Sequence, residues 1–364
     1  RLTGVLLTIQ LSLALIAIVN ALMFIYTEKY NKSSDWGFER SDRLAVANIN
    51  KNNIDFLRNE IEQFSAVENV SSSRGGITGL SSFSSVVYNE KKSPVRVTYA
   101  EAGYAEVMGF RLQKGRLLDA DRVEDRSRSI VVNSSFLRYT GVDSLNSKVM
   151  IEDEELTVVG VVDDYFYNGF ASSVLPCMIR LGKEDTFNHF TIKVTAGESD
   201  RVEAKLINLF TELDGSKTTL TPMADVLDEY LLDSKHAQNM MVFCAIIAVF
   251  LAAMGIFGLV SLNISQNIKR FGIKKVLGAG IRHLYIDVYK PFGVICLMAF
   301  VLGGAGSVLL ITPLLEMVHS YFPDFNISII LSGIALLMLV MALTVNTQVR
   351  KLVKLNPVDT LRNE

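Results

Sequence analysis

The sequence is poor in the residues that carry redox and metal chemistry, with three cysteines and four histidines among 364 residues. Cys177 stands alone in the polar middle of the chain while Cys244 and Cys296 fall in apolar runs, so no disulfide framework can be assembled. His189, His236, His283 and His319 lie in separate regions with no cysteine or carboxylate at ligand spacing, which argues against a zinc site. No GxxxxGK[ST] loop offers a backbone cradle for phosphates. Nor is there a GxSxG elbow or an HExxH pair. The acidic clusters at 152–155 and 163–164 have no flanking base or metal pattern and read as solvated turns. The chain is therefore expected to be no enzyme and to bind no cofactor or metal of its own.

Charge is missing from four windows, 2–27, 237–268, 291–315 and 325–349. Each reaches the roughly 20 residues that cross a hydrocarbon core at about 1.5 Å rise per residue. A mean hydropathy of +0.30 fits a membrane protein. The first window is too long for the roughly 7–15 apolar residues of a signal peptide, and it carries no A-x-A-like cleavage site. The absence of ionisable groups inside the windows also argues against a proton relay or a charge-lined ion pathway.

Residues 27–239 hold 25 basic and 33 acidic groups, leaving 11 basic and 5 acidic elsewhere. Lys269, Arg270, Lys274, Lys275, Arg282 and Lys290 lie between the second and third windows, and Arg350, Lys351, Lys354 and Arg362 follow the fourth. The segment 316–324 has Glu316 and Asp324 and no base. Because bases concentrate on the cytoplasmic side, the N-terminus, 269–290 and the tail face inward, and the large segment after the first span faces outward.

Between the spans the pattern is α+β. Ile54, Leu57, Ile61 and Phe64 form the stripe of an amphipathic helix over 50–64. Strands are expected at 84–88, 95–99, 129–132, 156–162, 178–181 and 190–194, with helices at 102–108, 134–139 and 201–213. From Pro222 the sequence turns helical and runs without Gly or Pro into the second span, predicting one long helix over 222–266 that leaves the membrane as a stalk. The first span continues outward likewise through 29–32. Gln10, Ser12 and Asn20 in the first span are expected to turn toward other helices. Gly255 and Gly258 in the second span, with Gly303, Gly304, Gly306 and Ser307 in the third, suit close helix packing.

The most specific stretch is Asn267-Ile-Lys-Arg-Phe-Gly-Ile-Lys-Lys-Val-Leu-Gly-Ala279. It resembles the R-x-K-E-I-G-I-R-K-V-L-G-A segment of FtsX-like, MacB-type ABC transporter permeases, in which a short helix docks on the ATPase. Gly272, Ile273, Lys275, Val276, Leu277, Gly278 and Ala279 match, and Lys274 stands for the arginine. Arg270 replaces the family's glutamate and Asn267 its leading arginine, reversing a charge where the ATPase is contacted. The ending Asn356-Pro-Val-Asp-Thr-Leu-Arg-Asn-Glu364 is similar to the family's N-P-V-x-x-L-R-x-E, through Asn356, Pro357, Leu361 and Arg362. The outer segment resembles a MacB-type periplasmic core domain through Tyr104-Ala-Glu-Val-Met-Gly-Phe110, Lys114-Gly-Arg116, Ile130-Val-Val-Asn133 and Val158-Val-Gly-Val-Val-Asp-Asp164. Leu2-Thr-Gly-Val-Leu-Leu-Thr-Ile-Gln10 and Asp35-Trp-Gly-Phe38 are similar to the start of the second repeat of double-length members, which fits an opening Arg1 in place of methionine.

The resemblance implies four transmembrane helices with a large α+β extracytoplasmic domain inserted between the first and second. Its limits are a first span at 1–27, the domain at 28–221, stalk and second span at 222–268, and a cytoplasmic coupling segment at 269–290. The third span at 291–315, an outer loop at 316–324, the fourth span at 325–349 and the tail at 350–364 follow. The implied ATPase contacts are Lys269, Arg270, Gly272, Ile273, Lys274, Lys275, Val276, Leu277, Gly278 and Ala279. ATP and Mg belong to a partner ATPase. A second permease repeat or protomer, membrane lipid and a periplasmic client or adaptor complete the expected partners, without nucleic acid. The implied activity is mechanotransmission to a peptide, drug or lipoprotein-like client in the periplasm of an inner-membrane transporter. The alternative is an FtsX-like regulator of a cell-wall hydrolase.

The orientation is testable by cysteine labelling in intact cells. Cysteines at Ser93 and Ser199 are expected to react with an impermeant thiol reagent, and one at Ala279 only after permeabilisation; labelling of position 279 in intact cells would overturn the topology.

Overall fold

A computed structural model describes residues 2–50, 53–77, 82–143, 145–151, 153–167, 169–170, 172–214, 218–225, 232–277 and 280–354. The chain divides into two units, Ser34–Leu232 and Arg1–Ser33 with Asp233–Glu364. Helix α1 (Leu2–Ser33) belongs to the second of these and continues six residues past the uncharged window.

The unit 34–232 is built on strands β1 (Arg43–Ala47), β2 (Val67–Ser73), β3 (Ser82–Tyr88), β4 (Lys91–Ala100), β5 (Leu112–Gly115), β6 (Ser129–Asn133), β7 (Lys148–Ile151), β8 (Glu154–Val162), β9 (Cys177–Leu181), β10 (His189–Val194) and β11 (Thr219–Pro222). Its helices are α2 (Ile54–Glu62), α3 (Tyr104–Met108), α4 (Ser134–Thr140) and α5 (Ser199–Asp214). The strand order is β11-β1-β10-β2-β4-β3-β7-β8-β6-β9, and β9 pairs back onto β4 in parallel. The last six strands of that order thus close on themselves, while β11, β1, β10 and β2 form an open antiparallel sheet joined to them through Ser73 opposite Ala100.

Local sequence explains these elements. Asn89 and Glu90 both take positive φ, 48° and 63°, and join β3 to β4 as the two central residues of a tight hairpin turn. The Asn133 side chain accepts from Phe136 N–H at 3.0 Å to cap α4 and from Cys177 N–H at 2.9 Å to tie β9 alongside. Alternation along β6 sends Ile130 and Val132 into one apolar cluster and Val131 into another. Under the open sheet, Leu57 and Ile61 of α2 and Val202, Leu206 and Phe210 of α5 pack with Leu44, Val46 and Ile192.

Strands β1, β2, β5, β7 and β11 are additional to those expected. Glu68 and Asn69 in β2 and the four exposed residues of β5 hide the apolar alternation on which a strand is recognised. Pro222 pairs with Leu44 at the end of β11, so the helical run that follows does not begin at Pro222; residues 226–231 of the expected stalk lie outside the described residues. Ser93 is buried, so Ser199 carries the labelling test of the outer domain.

The residues that follow α1 are clamped into this unit. Trp36 is 1% exposed, edge-on to Phe38 and Phe170, and its carbonyl accepts Phe166 N–H at 2.9 Å. Arg111 bridges Asp35 at 2.5 Å and Asp163 at 2.8 Å. Gly37 has φ +79°, and any side chain there would run into the backbone of Asp164. The cluster at 163–164 is therefore engaged in ion pairs and hydrogen bonds, with Asp164 also accepting from Ser135 N–H at 2.7 Å and from Arg138 at 2.5 Å. In the other cluster Glu154 pairs with Arg180 at 2.5 Å and Glu155 with Lys148 at 2.7 Å.

The other unit adds α6 (Leu232–Gln266), α7 (Ile268–Val276), α8 (Ile281–Glu316) and α9 (Ile327–Lys354) to α1. Among the described residues four helices are long and apolar enough to cross a membrane, Thr3–Ser33, Ser234–Gln266, Val288–Glu316 and Ile327–Arg350. The expected coupling segment 269–290 is divided, since Ile281 onward is continuous with the helix of the third span. Helix α1 is central. A methyl group added at Gly303 would come within 3.0 Å of Leu15, at Gly306 within 2.7 Å of Ile16, and at Gly333 within 2.9 Å of Val19. These glycines let α8 and α9 lie directly on α1. Thr8, Ser12 and Asn20 each donate to the carbonyl four residues earlier, and Ser12 also reaches Ala299 of α8 at 3.3 Å. Asn20 is buried in the bundle, with its Nδ2 bonded inside its own helix and its Oδ1 without a hydrogen-bond partner.

The most firmly held charge in the outer unit is Asp125, fully buried and accepting from Arg116 at 2.5 and 2.8 Å and from Asp119 N–H at 3.0 Å. Burial alone pushes this carboxyl up, but the bonds from Arg116, Ser129 and Asp119 outweigh it and hold it at about 2. Because the folded value lies below the unfolded one, its contribution is present above about pH 4 and is lost as pH falls toward about 2. Trp36, the one tryptophan, reports on this unit within the full chain. Asp125→Asn is expected to cost about 2 kcal/mol at neutral pH and to flatten the acid limb of the Trp36 unfolding profile; an acid limb identical to that of the parent would contradict it.

Candidate functional site

The site with a specific sequence signal is the short helix α7. Asn267 separates it from α6: its N–H is shared between Asn263 and Ile264 carbonyls at 3.1 and 3.2 Å, and its side chain donates to Asn263 O at 2.9 Å. Its own carbonyl then accepts Phe271 N–H at 3.0 Å and starts α7. An asparagine competes well for backbone groups at a helix junction, which suits it to this position.

Phe271 is the anchor. It is 5% exposed and joins the apolar core of the bundle with Val288, Phe292 and Ile264. On the rest of the helix Lys269 and Arg270 are exposed and Ile273 is 50% exposed, and Leu277, the residue just after its end, is 80% exposed. Arg270, Ile273 and Leu277 follow a spacing of three and four, so they share one stripe. The helix thus presents an apolar ridge beside two cations while its single large aromatic is held inside.

Lys274 is half-buried. Gly272, Lys275 and Val276 fall within α7, whereas Gly278 and Ala279 lie outside the described residues, as do Asn356, Pro357, Leu361 and Arg362 of the tail. Phe271 is the residue the motif reading missed, although its seven-residue spacing from Ile264 marks the inward side of the turn. Other chemistry is not assembled. Cys177 is buried, its thiol pushed up to about 11 chiefly by burial, and is therefore unreactive. Burial likewise pushes His189 down to about 4. No group of three potential metal ligands occurs among the described residues.

An α+β domain inserted in the sequence between the first and second of four long apolar helices is the architecture of a transporter permease. Residues 3–209 match the family model of the MacB-like periplasmic core domain, and residues 242–357 match that of the FtsX-like permease C-terminal region. The chain belongs to the MacB-like family of ABC transporter permeases. It is a multi-pass inner-membrane protein whose large domain is periplasmic. The Aggregatibacter actinomycetemcomitans "Macrolide export ATP-binding/permease protein MacB" is 22% identical over 218 residues, 57% of this chain and 33% of that one. The Aeromonas hydrophila subsp. hydrophila "Macrolide export ATP-binding/permease protein MacB 2" is 23% identical over 348 residues, 91% of this chain and 51% of that one. The chain spans between a third and about half of the length of these curated relatives. The crystal structure of the periplasmic region of MacB from Actinobacillus actinomycetemcomitans aligns at a TM-score of 0.40 with 18% identity, covering 53% of this chain and 93% of that one.

Proposed function

We propose that this chain is the force-transmitting permease part of an ABC transporter, driven by an ATP-binding partner that docks on α7. The observation that carries this reading is the outward ridge of Ile273 and Leu277 at a short helix anchored by Phe271 and joined to the second span at Asn267. ATP and Mg are handled by the partner, since the sequence has no phosphate-binding loop. Lys269, Arg270, Lys274 and Lys275 supply electrostatic attraction, and Gly272, Val276, Gly278 and Ala279 belong to the same docking motif. The tail motif Asn356, Pro357, Leu361 and Arg362 belongs to the same cytoplasmic part of the sequence. A second permease repeat or protomer completes the bundle within membrane lipid.

On the periplasmic side the clamp at Asp35 and Trp36 fixes the chain into the outer domain within a few residues of the end of α1, which supports passage of movement from that helix to the domain. The client is a peptide, drug or lipoprotein-like molecule, reached directly or through a periplasmic adaptor. The curated relatives are named as macrolide export proteins, which supports export over regulation of a hydrolase.

Leu277→Asp places a charge against the partner and is expected to weaken ATPase binding at least tenfold, at a cost of about 2–4 kcal/mol. Affinity and stimulated turnover equal to those of the parent would remove α7 as the docking site. The lever is tested separately. Several glycines inserted between Ser234 and Gln238, within α6, each weaken the helix by about 1 kcal/mol and together make a joint. The expected outcome is intact ATPase docking with loss of client export; full export across a joint shown to be flexible by spin-label distances would refute mechanotransmission.

A further inference from the structure

The second span is held to its own bundle in an unusual way. Helix α6 buries Ala252, Ile256 and Val260 in the core. Open clefts flank this strip. One of about 400 Å³ lies toward α9, between Phe250, Met254, Phe257, Leu343 and Thr347. Another of about 250 Å³ lies toward the first turns of α1, between Thr3, Leu6, Leu7, Gly258 and Leu262. Above this second cleft Gln10 reaches across, donating from Nε2 to the Leu251 carbonyl of α6 at 2.5 Å. The space for its amide is provided by Gly255, where any Cβ would overlap Gln10 Oε1.

We propose that Gln10, seated against Gly255, is a releasable latch that pins the second span to the first near the cytoplasmic side. The chemistry makes both states tolerable. Thr8, Ser12 and Asn20 on the same helix donate to the carbonyls of Gly4, Thr8 and Ile16, each four residues back. A released Gln10 has the Leu6 carbonyl in the corresponding place. The Leu251 carbonyl in turn retains the Gly255 N–H that helix geometry assigns to it. Opening therefore exchanges one bond of the Gln10 amide for another and strands no polar group that the closed state satisfies, which is the condition for a hydrogen bond between spans to act as a switch rather than a fixed staple. Leu262, four residues before the end of α6, lines the cleft, so opening there alters the angle at which α6 delivers α7. The functional meaning of the latch rests on the docking role proposed for α7, but its existence does not.

The test is a distance. Spin labels on cysteines at Leu6 and Leu262, in an otherwise cysteine-free full chain in lipid nanodiscs without ATPase, report on the cleft. The parent is expected to give one narrow distribution. Gln10→Leu removes the bond and Gly255→Val removes its seat; each is expected to lengthen the mean distance by about 2 Å or more, the scale of helix shifts at interfaces. A control pair at Ile9 and Val301, on α1 and α8, is expected to stay unchanged in both variants. An unaltered Leu6–Leu262 distance in both overturns the latch, and so does a movement of both pairs together, which would make Gln10 general packing. Because no ATPase is present, failure of docking on α7 leaves this result readable, and failure of the latch leaves docking untouched.

Discussion

The arrangement depends on how the chain is held as it leaves the first span. The residues that follow α1 are fixed almost at once in the unit 34–232. Trp36 is enclosed by Phe38 and Phe170, and Arg40 lies 4.8 Å over its ring. Asp35 is tied through Arg111 to Asp163, at the end of β8. Gly37 is required because Asp164 occupies the position of any side chain. Aromatic burial supplies most of the adhesion, and the exposed ion pairs, individually weak, set the direction in which the chain enters.

Within the membrane unit the same logic is carried by small residues. No hydrophobic gain accompanies helix association in lipid, so contact has to come from close approach. Gly303, Gly306 and Gly333 give α1 that approach along one side, whereas α6 is flanked by clefts. One span is thus gripped by α8 and α9 while the other keeps room beside it. Both lead to the periplasmic domain.

Spans, orientation and the α7 motif were legible because they rest on strong local signals: runs without charge, clustered bases, and glycines at fixed spacing. Strands such as β5 and β11 were not, because they are four residues long and owe their conformation to a neighbouring strand. Pro222 looked like the first residue of a helix, as proline often does, yet its partner Leu44 lies far back in the sequence and claims it for a sheet. Asp163 and Asp164 looked solvated for the same reason, since Arg111, Ser135 and Arg138 come to them only by folding. In α7 the motif named the outward residues, but only the packing of Phe271 into the bundle reveals what holds them outward.

The pairing of β1 with β11 has a consequence for how the protein is made. Leu44 meets Pro222 and Ala47 meets Thr219, so the open sheet lacks an edge strand until nearly the whole domain has crossed the membrane. The ring has a similar delay, because β4 awaits β9 at Cys177 to Leu181. Such long-range pairings are slow to form, and until then β1 and β4 have unpaired edges. Biogenesis is consequently tied to translocation: the domain can complete itself only as the second span arrives at the translocon, and a chain arrested earlier would present bare strand edges to periplasmic chaperones and proteases.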